Sequence, residues 1–266
     1  MCVTCTNASG PWLDKAIKLA ESLHLPFQEN TACWQGQSLT FTENRLELRQ
    51  GPDSGRELQG PLFVDFLSGR NSFRRLHNCT IKQPLARAVG IKGGFRPSVV
   101  DGTAGLGQDG FVLACLGCTV TMVERSPVLG ALLNDGLQRA LEDPTVGALL
   151  KKRIRLFCGD TRIILETLFD KPYTIYLDPM YPKRTASALN KKEMRIIRGL
   201  VGEDQDSASL LASALRWAGN RVVVKRPSKA PPLSELPPSH EIHMKNNRFD
   251  VYLTGLHGKE GHGDQQ

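Results

Sequence analysis

SVVDGTAGLGQDGF, at residues 98–111, joins an apolar run to a glycine-rich loop and to the start of a helical pattern. The apolar run ends at Asp101, and glycines follow at positions 102, 105, 107 and 110. A strand, a glycine loop and a helix in this order form the ligand-binding turn of doubly wound α/β sheets. The stretch therefore predicts an α/β fold with a binding site outside the carboxyl end of this strand.

Beyond this loop, apolar runs of β type alternate with helical patterns. Strands are predicted in TVTMVE, RIRLFCGD, TIYLDPMYP, NRVVVKRP and FDVYLTG, and helices at residues 109–116, 127–141, 161–169 and 207–217. Strands that are apolar throughout and alternate with helices indicate a mostly parallel sheet covered on both faces. We therefore expect a Rossmann-like α/β domain over residues 81–256.

The first 80 residues have a different, mixed pattern. A helical pattern at residues 11–25 precedes strand-like runs at 38–50 and 61–69. Alternation such as Leu46-Glu47-Leu48 is typical of a half-buried strand. We predict a small α+β region at residues 1–80 in front of the α/β domain, and a frayed tail at residues 257–266.

The composition excludes several classes of protein. The chain has 266 residues, with 40% hydrophobic residues and a net charge of +7, which is typical of a folded globular protein. No apolar stretch approaches the roughly 18 residues of a membrane span, and the N-terminus lacks the features of a secretory signal. The odd number of cysteines, 7, fits a reducing compartment. We expect a cytoplasmic protein without a membrane segment.

Cysteine and histidine pairs invite a metal interpretation, which their surroundings do not favour. The C-x-x-C pair Cys115/Cys118 lies where an apolar helix runs into a strand, so buried thiols are expected. The pairs His240/His243 and His257/His262 lie in polar segments without an accompanying cluster of cysteines or carboxylates, which indicates solvated side chains. We predict no metal site.

The glycine loop fits two cofactor classes. Gly105, Gly107 and Gly110 spell G-x-G-x-x-G, and Glu124 follows 19 residues after Gly105, as in dinucleotide-binding folds. Asp101 extends the loop to D-G-x-x-G-x-G, which is typical of S-adenosylmethionine (SAM) methyltransferases. A carboxylate suits a cofactor with a sulfonium and an amino group, whereas it would repel a pyrophosphate. The loop favours SAM and leaves a nicotinamide-dependent oxidoreductase as the alternative.

Acidic residues also end the next two strands. Glu124 is expected to accept hydrogen bonds from the ribose hydroxyls, and Arg125 to cover the adenine. Asp160 and Thr161 end the third strand, where an acid commonly binds the adenine amino group. The alternative is that Asp160 only caps the helix that begins at Thr161.

TIYLDPMYP, at residues 174–182, places an acid, a proline and an aromatic ring directly after an apolar strand. The segment resembles the [D/N]-P-P-[Y/F] motif of methyltransferases that modify planar exocyclic amines, with Met180 in place of the second proline. We expect the Asp178 carboxylate and the Pro179 carbonyl to accept hydrogen bonds from the amine. Tyr181 is expected to stack on the base.

Longer motifs resemble one family in particular. DGTAGLGQDGF at 101–111, YLDPMYP at 176–182 and SALNKKEMR at 187–195 are similar to the RsmJ family, bacterial enzymes that methylate the N2 amine of a guanine in 16S ribosomal RNA. The resemblance implies the class I SAM-dependent methyltransferase fold, SAM as cofactor, and 16S rRNA or the 30S subunit as partner. It also implies SAM contacts at Gln108, Asp109, Glu124, Arg125, Asp160, Thr161 and Asp178.

Basic residues cluster near this predicted site. We predict RNA contacts at Lys183, Arg184, Lys191, Lys192, Arg195, Lys225 and Arg226. A solvated helix is the alternative for residues 191–195. An adenine or protein-amide N-methyltransferase would share the amine pocket, and a non-catalytic RNA-binding protein would keep the fold.

Overall fold

The computed structural model describes residues 1–7, 10–29, 36–50, 60–68, 80–180 and 206–254. Its first part is a four-stranded sheet with one helix. The elements are β1 (Cys2–Cys5), α1 (Pro11–Leu23), β2 (Phe27–Gln28), β3 (Gln37–Phe41) and β4 (Leu46–Gln50). The strand order is β2-β1-β3-β4, with β1 parallel to both neighbours and β3 antiparallel to β4. The predicted helix is confirmed, and the strand-like run at residues 38–50 forms two antiparallel strands, β3 and β4.

The prediction of a strand at residues 61–69 is wrong. Within residues 60–68, which the structure describes, the segment makes only one isolated bridge, between Leu62 and Leu48. Leu62, Val64 and Phe66 are buried in alternation, as in a strand. The Asp65 carboxylate, however, accepts a hydrogen bond from the Leu67 amide at 2.8 Å and turns the chain away. The alternation thus reflects burial of every second side chain without a strand partner.

The second part is a seven-stranded sheet covered by helices. Its elements are α2 (Pro84–Ala88), β5 (Ser98–Asp101), α3 (Gln108–Cys115), β6 (Thr119–Glu124), α4 (Pro127–Glu142), α5 (Pro144–Leu150), β7 (Ile154–Cys158), α6 (Thr161–Thr167), β8 (Thr174–Leu177), α7 (Ser207–Trp217), β9 (Arg221–Pro227), β10 (His240–His243) and β11 (Asn247–Leu253). The strand order is β10-β11-β9-β8-β5-β6-β7. The strands from β7 to β9 in this order are parallel, and β11 is antiparallel to both of its neighbours. This architecture confirms the predicted Rossmann-like α/β class.

The strand order fixes where a ligand can bind. The chain passes from β5 outward through β6 to β7, and then returns to β8 on the other side of β5. Loops on the two sides of such a reversal diverge and leave a crevice outside the carboxyl ends of the strands. Asp101 pairs with Tyr176 across β5 and β8, so the glycine loop and the DPM segment start side by side.

Five elements of the described residues were not predicted from the sequence: β1, β2, α2, α5 and β10. Helix α5 was not predicted, although Asp143 caps it by accepting the Val146 amide at 2.7 Å and Pro144 occupies its first turn. Strand β10 was not predicted either, because its exposed polar residues carry no apolar period; His240 and His243 are solvated, as expected. Strand β7 lies at one edge of the seven-stranded sheet. This position leaves Phe157 38% exposed.

The cysteines and helices bear on the metal and membrane expectations. Cys118 is fully buried and Cys115 is partly buried, as predicted. Among the residues that the structure describes, no group of three or more His, Cys, Asp and Glu side chains is arranged to hold a metal ion. Within the same ranges, every helix is too short or too polar to span a lipid bilayer.

The small sheet packs against the helices of the large one. Phe66 stacks on Phe111 of α3, with ring centroids 4.3 Å apart. Val64 lies against Gly136 of α4, and the Arg139 guanidinium donates a hydrogen bond to the Val64 carbonyl. One hydrophobic cluster contains residues of both parts. The domain boundary near residue 80 stays a prediction, because residues from both sides of it share one hydrophobic core.

We predict that Gly136→Ala lowers the free energy of unfolding. A Cβ at this position would lie 2.5 Å from Val64 Cγ1 and 3.1 Å from the Val64 carbonyl oxygen. Overpacking of this kind costs about 1–3 kcal/mol, against a gain of about 1 kcal/mol from alanine's helix propensity. Thermal unfolding measures the net change. Gly94→Ala is the control, because no atom lies within 4 Å of its Cβ position; an equal melting temperature for both variants would contradict the packing described.

Candidate active site

The glycine loop turns the chain sharply from β5 into α3. Gly105 and Gly107 have φ angles of 56° and 73°, in the left-handed region that favours glycine. A Cβ at Gly107 would lie 2.4 Å from Leu133 Cδ1 and 3.2 Å from Phe66 Cζ. The loop is therefore packed on its inner side against α4 and the segment that follows β4, while its outer side faces the crevice.

Asp101 lies at the base of the crevice and is only 2% exposed. One carboxylate oxygen accepts a hydrogen bond from the Thr103 amide at 3.4 Å. Burial, followed by the negative charges of Asp109 and Asp178, raises the pKa of Asp101 to about 8. The Lys225 ammonium lowers this pKa only in part, so the protonated form of Asp101 is favoured at neutral pH.

A lysine joins two carboxylates at the centre of the site. Lys225 Nζ, on β9, lies 2.8 Å from Asp178 Oδ2 and 2.9 Å from Asp109 Oδ2. The Tyr176 hydroxyl, on β8, donates a hydrogen bond of 2.7 Å to the same Asp109 oxygen. Burial alone would lower the pKa of Lys225, but the two carboxylates outweigh it and raise the pKa above its ordinary value. The ammonium therefore stays charged and fixes both acids.

Backbone contacts also fix the DPM segment. The Asp178 amide donates a hydrogen bond of 2.6 Å to the Thr103 hydroxyl of the glycine loop. Pro179 is buried and Met180 is partly buried. Tyr181, which the sequence predicts to stack on the base, lies outside the described residues. The hydrogen bond to Thr103 thus fixes the backbone at Asp178, the residue that is predicted to bind the amine.

Glu124 joins the end of β6 to the glycine loop. It is 5% exposed, and its two oxygens accept hydrogen bonds of 2.7 Å from the amides of Gly105 and Ser126. A carboxylate has about four acceptor sites, so ribose hydroxyls are compatible with these contacts. Gln108 and Asp109 begin α3 beside the same loop, and both are partly buried.

Asp160 caps α6, as the alternative interpretation of this residue proposed. Its Oδ1 accepts a hydrogen bond of 2.9 Å from the Arg162 amide, and its Oδ2 lies 2.5 Å from Arg162 Nη2. Hydrogen bonds from Arg162 lower the pKa of Asp160 despite the opposing effect of burial. The Thr161 hydroxyl donates to the Gly102 carbonyl at 2.6 Å, which ties α6 to the glycine loop.

A small cavity lies between the ends of β5, β6 and β7. It has a volume of about 50 Å³, and Arg125, Asp160, Arg162 and Asp206 are among its lining residues. Asp206 Oδ2 lies 2.9 Å from Arg125 Nη1 and 3.1 Å from Arg162 Nη2. Sites for larger ligands have volumes of roughly 300–1,000 Å³. The two ion pairs of Asp206 thus occupy part of the space in which the sequence predicts the adenine of the cofactor.

The predicted RNA contacts have mixed outcomes. Arg226 is 2% exposed, so the prediction that it contacts RNA is wrong for this conformation. Successive side chains on a strand point to opposite faces of the sheet, so Arg226 lies on the face opposite to that of Lys225, where it donates a hydrogen bond to the Pro231 carbonyl. Lys225 is placed within the site between Asp109 and Asp178, not on the open surface. Lys183, Arg184, Lys191, Lys192 and Arg195 lie outside the described residues.

Sequence reasoning missed three members of the site: Tyr176, Arg162 and Asp206. Tyr176 stands two residues before Asp178, so the strand period places it on the same face of the sheet, but nothing in the sequence indicated Asp109 as its partner. Arg162 and Asp206 are separated by a segment outside the described residues, and only the folded chain brings them together.

The acidic rim fits SAM better than a dinucleotide. Carboxyl groups of Asp101, Asp109, Glu124, Asp160 and Asp178 surround the crevice, where they would favour a sulfonium, an ammonium and ribose hydroxyls. The same groups would repel a diphosphate, and Asp109 occupies the first turn of α3, where a dinucleotide would need free amides. The residues present therefore fit SAM.

Known proteins agree with this assignment. A family model described as "Putative SAM-dependent methyltransferase" matches residues 18–254. A protein of Desulfotalea psychrophila named ribosomal RNA small subunit methyltransferase J is 49% identical to this chain, in an alignment that covers 91% of this chain and 92% of that protein. A protein of the same name from Aeromonas salmonicida is 48% identical, in an alignment that covers 91% of this chain and 96% of that protein.

A solved structure extends the similarity to the whole fold. The crystal structure of a SAM-dependent methyltransferase from Neisseria gonorrhoeae is 33% identical, has a TM-score of 0.73, and covers 98% of both chains. With the glycine loop and its acidic rim, these matches show that the chain belongs to the SAM-dependent methyltransferase family whose members include ribosomal RNA small subunit methyltransferase J.

Proposed function

We propose that this enzyme methylates the exocyclic N2 amine of a guanosine in 16S ribosomal RNA, either as naked RNA or within the 30S subunit, in the cytoplasm. The observation that carries the proposal is the position of Asp178, which follows β8 at the reversal of strand order and lies 2.8 Å from the Lys225 ammonium. The relatives named ribosomal RNA small subunit methyltransferase J support an RNA substrate.

The cofactor would bind along the loops after β5, β6 and β7. When bound, SAM supplies an electrophilic methyl group on a sulfonium. Glu124 would bind the ribose hydroxyls, and Gln108 and Asp109 would contact the amino-acid part near the start of α3. Asp101 would place negative charge beside the cofactor's positive groups. These roles follow from the placement of the four residues around the same crevice.

Adenine binding would require a change in the ion pairs of Asp206. Arg125 and Arg162 meet at this carboxylate across the 50 Å³ cavity. Their side chains are 41% and 36% exposed, so these pairs contribute only about 0–1 kcal/mol each. The pairs can therefore open at low cost. Arg125 would then be available to cover the adenine, while Asp160 keeps its capping role.

The amine would lie against Asp178 and the Pro179 carbonyl. A guanine N2 nitrogen is a weak nucleophile, because its lone pair is delocalised into the ring. Hydrogen bonds from its N–H groups to these two acceptors would hold it in line and favour the positive charge that develops on it. With SAM bound, its methyl carbon would be transferred to this nitrogen as the carbon–sulfur bond breaks toward sulfur, and the extra proton on the methylated nitrogen would pass to solvent water. The Lys225 ammonium, 2.8 Å from Asp178 Oδ2, holds this carboxylate in place as the acceptor.

Product analysis tests the reaction and the atom together. We expect methyl-labelled SAM to label 16S rRNA or 30S subunits from a strain without this activity, and the digested RNA to contain labelled N2-methylguanosine. Labelled N6-methyladenosine or labelled protein would favour the adenine or protein-amide alternative. SAM binding without methyl transfer to RNA would contradict the proposal.

Asp178→Asn is the matched variant for this assay. It keeps the shape of the side chain but removes the negative charge, so we expect kcat to fall by about 10²–10³. The Kd for SAM should change by less than about threefold, because the proposed partner of Asp178 is the amine. Asp170→Asn, at an exposed position, is the control. An equal loss of SAM affinity and kcat would make Asp178 chiefly a cofactor ligand.

We also predict that SAM binding releases a proton from Asp101. Because the pKa of Asp101 is raised to about 8, the group is protonated below that pH before binding. The cofactor's positive charge would lower this pKa and favour ionisation, so the Asp101 contribution to affinity should rise with pH up to about 8. Calorimetry at pH 6.5 in buffers of different ionisation enthalpy measures the proton release.

The control for this titration is Asp101→Asn, which cannot release the proton. We expect wild type to release more protons than the variant, by a difference approaching one per SAM bound. The comparison removes the contribution of the cofactor's own amino group, which titrates equally in both experiments. Equal proton release by the two proteins would contradict the prediction.

A further inference from the structure

A basic and aromatic groove lies at the amino edge of the seven-stranded sheet, away from the glycine loop. Its volume is about 520 Å³, and it is lined by Arg87, Gly90, Ile91, Lys92, Phe95, Tyr173 and Arg221. Tyr173 precedes β8 and Arg221 begins β9, whereas Asp178 and Lys225 lie near the opposite ends of these strands. At about 3.3 Å per residue, the two sites are roughly 15 Å apart.

The aromatic part of the groove is held in place by a tight turn. The Phe95 amide donates a hydrogen bond of 2.9 Å to the Lys92 carbonyl. Arg96 supports the turn from behind by donating to the carbonyls of Gly93 and Leu116, both at 2.7 Å. Phe95 is 48% exposed, and its ring centre lies 4.9 Å from that of Tyr173. The turn therefore presents a fixed aromatic surface to solvent.

Cations surround this aromatic surface. Arg87 and Lys92 are exposed, and the Arg221 guanidinium carbon lies 5.9 Å from the centre of the Tyr173 ring. Arg221 is oriented by a hydrogen bond of 2.9 Å from its Nε to Asn220 Oδ1. No acidic residue is among the described residues that line the groove. Its charge complements phosphate groups, and its rings offer a stacking surface for a base.

We propose that this groove is a second RNA-binding site, which takes an unpaired nucleotide of the substrate remote from the methylated base. The base stacks on the exposed Phe95 ring, which Tyr173 supports from an edge-to-face position at an interplanar angle of 66°, and the flanking phosphates contact Arg87, Lys92 and Arg221. Unpaired nucleotides combine a flat apolar face with adjacent negative charge, as this surface requires. The inference rests on the proposed function for the identity of the RNA, but it assigns a site separate from the amine pocket.

The first test uses direct binding, which does not depend on methyl transfer. Fluorescence anisotropy measures the affinity of the full chain for a labelled single-stranded RNA decamer of mixed sequence. We expect Phe95→Ala to weaken binding by about tenfold, because a stacked base is lost. We expect the double variant Arg87→Gln/Lys92→Gln to reduce the slope of log K against log salt by about 1.4, or about 0.7 for each phosphate contact.

Matched controls distinguish the groove from general effects. Phe169→Ala removes an aromatic ring that is fully exposed elsewhere, and Lys151→Gln/Lys152→Gln removes two exposed charges. Both control variants should bind RNA more like wild type than the groove variants do. Equal losses in groove and control variants would overturn the proposal. The proposal would also be overturned if the groove variants weaken the binding of a labelled decaglutamate peptide but leave the binding of the RNA decamer unchanged.

The second test separates this inference from the proposed function. In methyl transfer to 16S rRNA, Phe95→Ala should raise KM for the RNA by about tenfold and leave kcat and the Kd for SAM unchanged. Wild-type methylation of guanosine N2 with an unchanged KM in Phe95→Ala would reject the groove and keep the function. Loss of decamer binding in the groove variants, with no methylation of 16S rRNA by wild type, would reject the function and keep the groove.

Discussion

The contact of Lys225 with Asp109 and Asp178 is the interaction on which the site depends. Three carboxyl groups lie at one edge of the sheet, where the charges of Asp109 and Asp178 oppose one another and favour the protonated form of Asp101. A single ammonium, 2.9 Å and 2.8 Å from two of them, offsets that repulsion. It also connects α3, β8 and β9, which are distant in sequence. The negative charge needed beside a methyl donor and an amine is thus held in a fixed place.

The segment that follows β4 packs against the helices that carry this site. Phe66 packs on Phe111 of α3 and against the position of Gly107, while Val64 packs on α4. The glycine loop is therefore confined between its own helix and the segment that follows β4. This packing gives the first 80 residues a role in positioning the loop, since a shift of Phe66 would move α3 and with it Asp109.

The sequence was sufficient for the features that depend on local pattern. Asp101, Glu124 and Asp178 end apolar strands, and parallel strands bring their carboxyl ends to one edge, so their proximity could be predicted. The partners of Lys225 could not, because the strand period gives the face of a side chain but not what it meets. The burial of Arg226 and the short elements α5 and β10 were missed for related reasons: they depend on neighbours distant in sequence or are too short to show a period.

A double-mutant cycle on kcat/KM with 16S rRNA tests the central claim that Lys225 acts through Asp178. Asp178→Asn, Lys225→Gln and the combined variant would be compared with wild type at saturating SAM. If Lys225 serves to hold the ionised Asp178, the combined variant should be within about threefold of Asp178→Asn alone, with a coupling energy of at least about 1 kcal/mol. Independent, multiplicative losses would show that the two residues act separately and would contradict the account.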